Sequence, residues 1–311
     1  MKLKKPKFWD YKKPNLYSYL LLPFSIILSL LSKIRSKPKL TNPQIKTICI
    51  GNIYIGGTAK TPLTIKIYKI LKSLDYKTAT IKKYYNDQND ENRLLNNSTN
   101  LYNLKSRSNS LQQAINDRIE VAIFDDGLQD KSINYDLSFV CFNNDCGIGN
   151  GFLIPAGPLR EKLSSIKNYD GVFLNGNEED TSQFKKLIKK YNANIKIFET
   201  YYSPLNIDEL DKSCKYLVFS GIGNPSTFEK TLKKHKLQII KKIEFPDHYK
   251  YTEKDIKKIK LQAKNLDAKI LTTEKDYVKI TKFDFTEINF LKVDLFIKEK
   301  EELINFLNSR L

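Results

Sequence analysis

KTICIGNIYIGGTAKTPLTIKIYKILKSL, from Lys46 to Leu74, is the stretch on which the reading of this chain turns. A short β-branched run leads into a glycine turn, then Lys60-Thr61-Pro62, then a helical pattern with Leu63, Ile67, Ile70, Leu71 and Leu74 apolar. Strand, glycine loop and helix is the order a nucleotide-binding P-loop needs. The loop turns backbone N–H groups toward phosphates, and the helix N-terminus adds its partial positive charge. Gly56, Gly57, Thr58 and Ala59 would form that loop, Lys60 would reach the terminal phosphates, and the Thr61 hydroxyl would sit on Mg²⁺. Pro62 falls in the first helical turn, where N–H groups have no intrahelical partner. The strict pattern G-x-x-x-x-G-K-[ST] wants glycine at positions 54 and 59, where the chain has Tyr54 and Ala59. Alone, the stretch suits a P-loop and an ordinary glycine-rich strand–helix turn equally.

Outward from it, short unalternating apolar runs at 78–81, 121–124, 137–142 and 171–174 read as strands buried on both faces. Helical patterns at 111–117 and 181–191 lie between them, which is a doubly wound α/β arrangement with a mainly parallel sheet. After a break near 160–170, a second βα series is expected at 195–198, 217–219, 239–245, 270–273 and 290–297, closed by a helix over 298–311. The polar, Asn- and Ser-rich stretch 84–110 reads as a surface loop. The expected division is a basic membrane-interface segment over 1–39, a P-loop core over 40–165 and a smaller α/β lobe over 166–311.

The N-terminal segment 16–31, LYSYLLLPFSIILSLL, is nearly all apolar, with lysines on both sides. As a helix it would extend roughly 24 Å, short of the ~30 Å hydrocarbon core. Positive charge at both ends opposes spanning, so a helix lying in the interface of an anionic membrane is expected. The formal charge is +18, from 53 Lys+Arg against 35 Asp+Glu, yet only six residues are arginine. Diffuse lysine without arginine forks or a recognised motif argues against a nucleic-acid partner. Cys49, Cys141, Cys146 and Cys214 lack metal-ligand spacing and suit a reducing compartment.

Four further motifs could carry chemistry. Val121-Ala122-Ile123-Phe124-Asp125-Asp126-Gly127 is a buried strand ending in two carboxylates, the donors that a Mg²⁺ beside a P-loop requires. Of the two histidines, His235 lies in a lysine-rich helical run, while His248 follows a strand in Phe245-Pro246-Asp247-His248 and is the catalytic candidate. Gly221-Ile222-Gly223-Asn224-Pro225 could bind an anion or simply turn a strand into a helix. Pro155-Ala156-Gly157-Pro158-Leu159-Arg160-Glu161 could clamp a phosphate or end in an ion pair.

In register along the chain, these segments resemble the tetraacyldisaccharide 4'-kinase family of Gram-negative bacteria. The matching residues are Leu21-Leu22-Pro23-Phe24-Ser25, Gly51-Asn52-Ile53, Gly56 to Pro62, Asp125-Asp126-Gly127-Leu128-Gln129, Leu153 to Glu161, Ser220 to Pro225, Phe245 to His248 and Thr272-Thr273-Glu274-Lys275-Asp276. The resemblance implies transfer of the γ-phosphate of ATP, with Mg²⁺, to the 4'-hydroxyl of tetraacyldisaccharide 1-phosphate. It also implies a monomer working at the cytoplasmic face of the inner membrane, with a second lobe closing over the site. The family's catalytic aspartate, in Gly-Asp-Glu-Pro, matches Asp90 of Asn89-Asp90-Glu91-Asn92, with Asp87 a nearby rival and His248 in support. Lys60 joins them in catalysis. Thr61, Asp125 and Asp126 take the metal, and Gln129, Arg160, Glu161 and Ser25 lie toward the substrate. Three departures stand out. Ala59 replaces a glycine, Lys82-Lys83-Tyr84-Tyr85 replaces Ser-Arg-Gly-Tyr, and Asp130 replaces a histidine. If position 59 is left-handed, alanine there costs roughly 1–2 kcal/mol and weakens ATP binding.

Overall fold

The computed structural model describes residues 5–34, 44–85, 89–176, 179–247, 249–281, 283 and 285–311. Two compact units emerge: one of Lys5–Tyr201 with Ile297–Leu311, the other of Tyr202–Phe296.

The larger unit carries seven strands of an eight-stranded sheet. Its chain order starts with the helix α1 (Leu16–Ile34), then β1 (Lys46–Gly51), α2 (Lys60–Ser73), β2 (Thr78–Ile81), α3 (Asn89–Ser98), β3 (Leu101–Tyr102), α4 (Arg107–Asn116), β4 (Val121–Asp125) and β5 (Leu137–Asn143). Next come β6 (Gly171–Asn175), α5 (Ser182–Lys189) and β7 (Lys196–Pro204). The smaller unit has β8 (Lys215–Ser220), α6 (Pro225–Lys234), β9 (Gln238–Glu244), α7 (Glu253–Asn265), β10 (Lys269–Thr273), α8 (Glu274–Ile280) and β11 (Ile288–Leu291). Strand β12 (Val293–Ile297) and helix α9 (Lys300–Asn308) end the chain.

The large sheet runs β12-β7-β6-β5-β1-β4-β2-β3, and the pairs from β7 to β3 are all parallel. Register sets the two faces. Cys49, Phe124 and Ile81 align on one face and pack with Leu111 and Ala114 of α4, while Val140 and Val172 on the same face meet Phe184 and Ile188 of α5. Phe139, Phe173 and Phe198 align on the opposite face, and the Phe306 ring of α9 lies 6.0 Å from those of Phe139 and Phe198. Both faces are therefore covered, as a run of parallel apolar strands demands. The smaller unit has its own parallel sheet, β11-β10-β8-β9, with Leu217, Phe219, Ile256, Ile259 and Ile270 in its core.

Three expectations are corrected. The large sheet does not stop near 165: the chain makes a 3-10 turn over Leu163–Asn168 and returns to add β6 and β7, because Ile166, Val172 and Leu174 share one core with Val140 and Phe142. Helix α9 likewise belongs to the large unit, so the second lobe spans Tyr202–Phe296 rather than 166–311. The run 290–297 is two strands in two sheets, split at Lys292, whose N–H and C=O are taken by Asn206 Oδ1 and the Leu205 N–H, each at 2.8 Å. Finally, the polar stretch 84–110 holds α3, β3 and the first turn of α4; fully buried Leu95 anchors α3.

Helix α1 inverts the usual surface pattern. Ser18 and Ser25 are buried, while Leu20, Phe24, Ile27 and Leu31 are more than half exposed. Its 19 residues extend about 28 Å, and no helix among the described residues is long and apolar enough to cross a membrane.

Candidate active site

Because β1, β2, β4 and β5 are parallel, their C-terminal ends emerge on one edge of the large sheet, where α/β proteins bind ligands. The loop from β1 to α2 is shaped there by its own side chains. Asn52, fully buried, donates from its amide to Thr58 Oγ1 at 2.9 Å and to the Gly56 carbonyl at 3.3 Å. Gly56 has φ +141°, and a Cβ on it would sit 3.1 Å from the Tyr54 ring. Ala59 caps α2 in the left-handed region (φ 63°, ψ 21°), and its carbonyl accepts the Leu63 N–H at 3.0 Å. Alanine thus sits where the strict pattern places glycine, as the sequence anticipated.

The acids of β4 face this loop. Asp125 is fully buried, and its Oδ2 accepts from Thr61 Oγ1 at 2.9 Å and from Lys82 Nζ at 2.7 Å. Its other oxygen, Oδ1, is buried with no hydrogen-bond partner among the described residues. Asp126 adopts φ 56°, held by Arg107, which donates to its carbonyl at 2.7 Å. Its carboxylate lies 3.7 Å from Lys60 Nζ and accepts from Arg160 at 3.0 Å. Burial opposes that charge, yet Lys60 and Arg160 hold the Asp126 carboxyl below the usual carboxylate range. A hydroxyl, an unspent buried carboxylate oxygen and a second carboxylate are donors that suit Mg²⁺, which is usually held by one or two carboxylates and phosphate oxygens.

The remaining expected residues divide. Gln129 and Glu161 join the cluster: the Gln129 amide donates to Glu161 at 2.8 Å and to the Asn52 carbonyl at 3.0 Å, and Arg160 donates to Gln129 Oε1 at 3.0 Å. Arg160 and Glu161 thus meet through Gln129, and Glu161 also accepts from Tyr169 at 2.8 Å. Ser25 is corrected. It is 2% exposed, donates to the Leu153 carbonyl at 2.9 Å and accepts the Ala156 N–H at 3.1 Å, so its hydroxyl is spent docking α1 rather than facing a substrate. Asp90 lies in the first turn of α3, with its side chain outside the described residues; Asp87 and His248 are outside them altogether. In the smaller unit, the Gly221 N–H donates to the Asp276 carboxylate at 2.8 Å, which ties the start of the Gly221 to Pro225 segment to α8.

Two pairs at this edge escape a motif search. Lys82 binds Glu91 at 2.6 Å as well as Asp125, and Arg107 pairs with Asp130 at 3.2 Å. Their signal in the sequence is only a cation just after a strand and another at a helix start.

Comparison with known proteins places this geometry. The model of the family LpxK, tetraacyldisaccharide-1-P 4'-kinase, matches residues 17–311. The chain belongs to that family. Among its relatives, the tetraacyldisaccharide 4'-kinase of Pelagibacter ubique (strain HTCC1062) is 54% identical over 99% of this chain and 98% of that protein. That of Rickettsia canadensis (strain McKiel) is 34% identical over 100% and 97%, respectively. The crystal structure of LpxK from Aquifex aeolicus in complex with ATP shares the fold, with a TM-score of 0.66 at 21% identity, covering 94% of this chain and 96% of that one.

Proposed function

We propose that this LpxK-family chain transfers the γ-phosphate of ATP to the 4'-hydroxyl of tetraacyldisaccharide 1-phosphate, giving the bisphosphorylated lipid A precursor and ADP. The observation that carries this reading is the meeting of Lys60, Thr61, Asp125 and Asp126 at one sheet edge, in a chain that matches the family over residues 17–311. The N–H groups at the start of α2 and of the glycine loop receive the phosphates. Lys60 exchanges its contact with Asp126 for the terminal phosphate oxygens. Thr61, Asp125 Oδ1 and Asp126 would hold Mg²⁺, which neutralises charge building on the transferred group. Arg160 lies beside Asp126 and the Gln129–Glu161 pair, within reach of the same phosphates or of the acceptor.

Asp90 takes the proton of the 4'-hydroxyl as its oxygen bonds to phosphorus, and His248 supports it, with Asp87 the rival base. A carboxylate with an ordinary pKa near 4 is a weak base, so alignment and fixed charge supply most of the rate. Closure of the smaller lobe over the site would exclude water. The exposed apolar side of α1, with Lys7, Lys12 and Lys13 exposed ahead of it, supports a peripheral place on the cytoplasmic face of the inner membrane. A micellar transfer assay comparing Asp90→Ala, Asp87→Ala and His248→Ala tests the assignment. Asp90→Ala and His248→Ala should abolish turnover with ATP binding retained; turnover that survives Asp90→Ala but not Asp87→Ala moves the base to Asp87.

A further inference from the structure

Helix α3 is poorly equipped to hold itself. Its sequence, NDENRLLNNS, has four asparagines among ten residues, and asparagine is a weak helix former. So short a helix is marginal without tertiary support. Toward its C-terminal end that support is fully buried Leu95, together with Thr99, whose hydroxyl donates to the Leu95 carbonyl at 2.7 Å. In the middle, Asn92 accepts from Asn103 at 3.2 Å. At the first turn, Glu91 binds Lys82 at 2.6 Å.

Lys82 is unusual in its own right: it follows β2 directly, is only 2% exposed, and divides its ammonium between Glu91 and Asp125. We infer that Lys82 is a positioning residue which ties the first turn of α3 to the Asp125–Thr61 pair and so sets where Asp90 stands relative to the bound phosphates. This rests on the functional reading above for Asp90, while the tether itself rests on geometry alone. Asp125 Oδ2, Lys82 and Glu91 form one continuous chain of charge-assisted hydrogen bonds from the P-loop threonine to α3. A lysine brings compact charge and rotatable donors, which lets one side chain serve two carboxylates.

Hydrogen exchange of the full-length protein without nucleotide or Mg²⁺ reads the tether apart from catalysis. In Lys82→Met, amides of α3 should exchange about ten- to a hundredfold faster, the range for losing a charge-assisted hydrogen bond, while β1 and β4 keep their protection. Glu91→Gln cuts the same tether from its partly exposed end and gives the same pattern should Lys82→Met fail to fold. In turnover, each variant should lower kcat per folded enzyme with the KM for ATP within about twofold. The double variant should lose no more than the worse single one, because both break one link. A uniform rise in exchange across β1, β4 and α3 would mean a merely structural role and overturn the inference. So would unchanged α3 exchange in a folded variant, or multiplicative kcat losses. If the wild type transfers no phosphate to lipid, the functional reading fails, yet α3 exchange still decides the tether.

Discussion

Replacing Ala59 by glycine tests the P-loop most locally. Ala59 holds φ 63° and ψ 21° at the N-cap of α2, one residue before Lys60. A left-handed alanine costs roughly 1–2 kcal/mol, and glycine removes that strain while adding about 0.5–1 kcal/mol of unfolded-chain freedom. The net relief is about 0.5–1 kcal/mol, and since 1.4 kcal/mol is a factor of ten, that is roughly a two- to fivefold effect. The loop is where the strain resides, and its alternatives are local rearrangements, so the relief should appear in nucleotide affinity. In Ala59→Gly the KM for ATP should fall by that factor at saturating lipid, with kcat retained and the thermal midpoint not lowered. An unchanged or higher KM would refute the reasoning, because the alanine would then carry no strain relevant to ATP.

Asp126→Asn probes the charge cluster by pH. The depressed Asp126 carboxyl stabilises the fold above the ordinary carboxylate value near 4 and loses that contribution as pH falls through its lowered value. The stability gap between wild type and Asp126→Asn in urea should therefore be widest near neutrality and close in acid; a constant gap contradicts it. Ser25→Ala leaves the Leu153 carbonyl and the Ala156 N–H without their shared partner, at a cost of about 1–3 kcal/mol. For a unit of this size the thermal midpoint should drop by roughly 2–12 °C, and a drop below 1 °C would remove the docking role. Leu20→Asp with Phe24→Asp, on the exposed side of α1, should abolish sedimentation with anionic vesicles at physiological salt; undiminished binding would place the membrane contact elsewhere.

The P-loop and the acid-tipped strand were legible because each is local: β1, its turn and α2 are contiguous, and apolar β4 ends at Asp125. Where the chain leaves one sheet and returns was not. Residues 195–198 and 290–297 both look like buried strands, and only long-range pairing shows that the first extends the large sheet while the second is shared between two. The asparagine-rich stretch that forms α3 hides its helix for a related reason: Leu95 and the Lys82–Glu91 pair secure it through contacts that no helical period announces. Ser25 illustrates the converse, since a motif position was legible but its hydroxyl serves the turn over residues 153–156 instead of a ligand.

The most direct test of the central claim is transfer of labelled γ-phosphate from ATP to tetraacyldisaccharide 1-phosphate in detergent micelles with Mg²⁺, for wild type and Lys60→Ala. The account predicts one label per lipid, at the 4'-oxygen, and loss of at least a hundredfold in Lys60→Ala. A wild type that binds ATP and leaves the lipid unlabelled would contradict it.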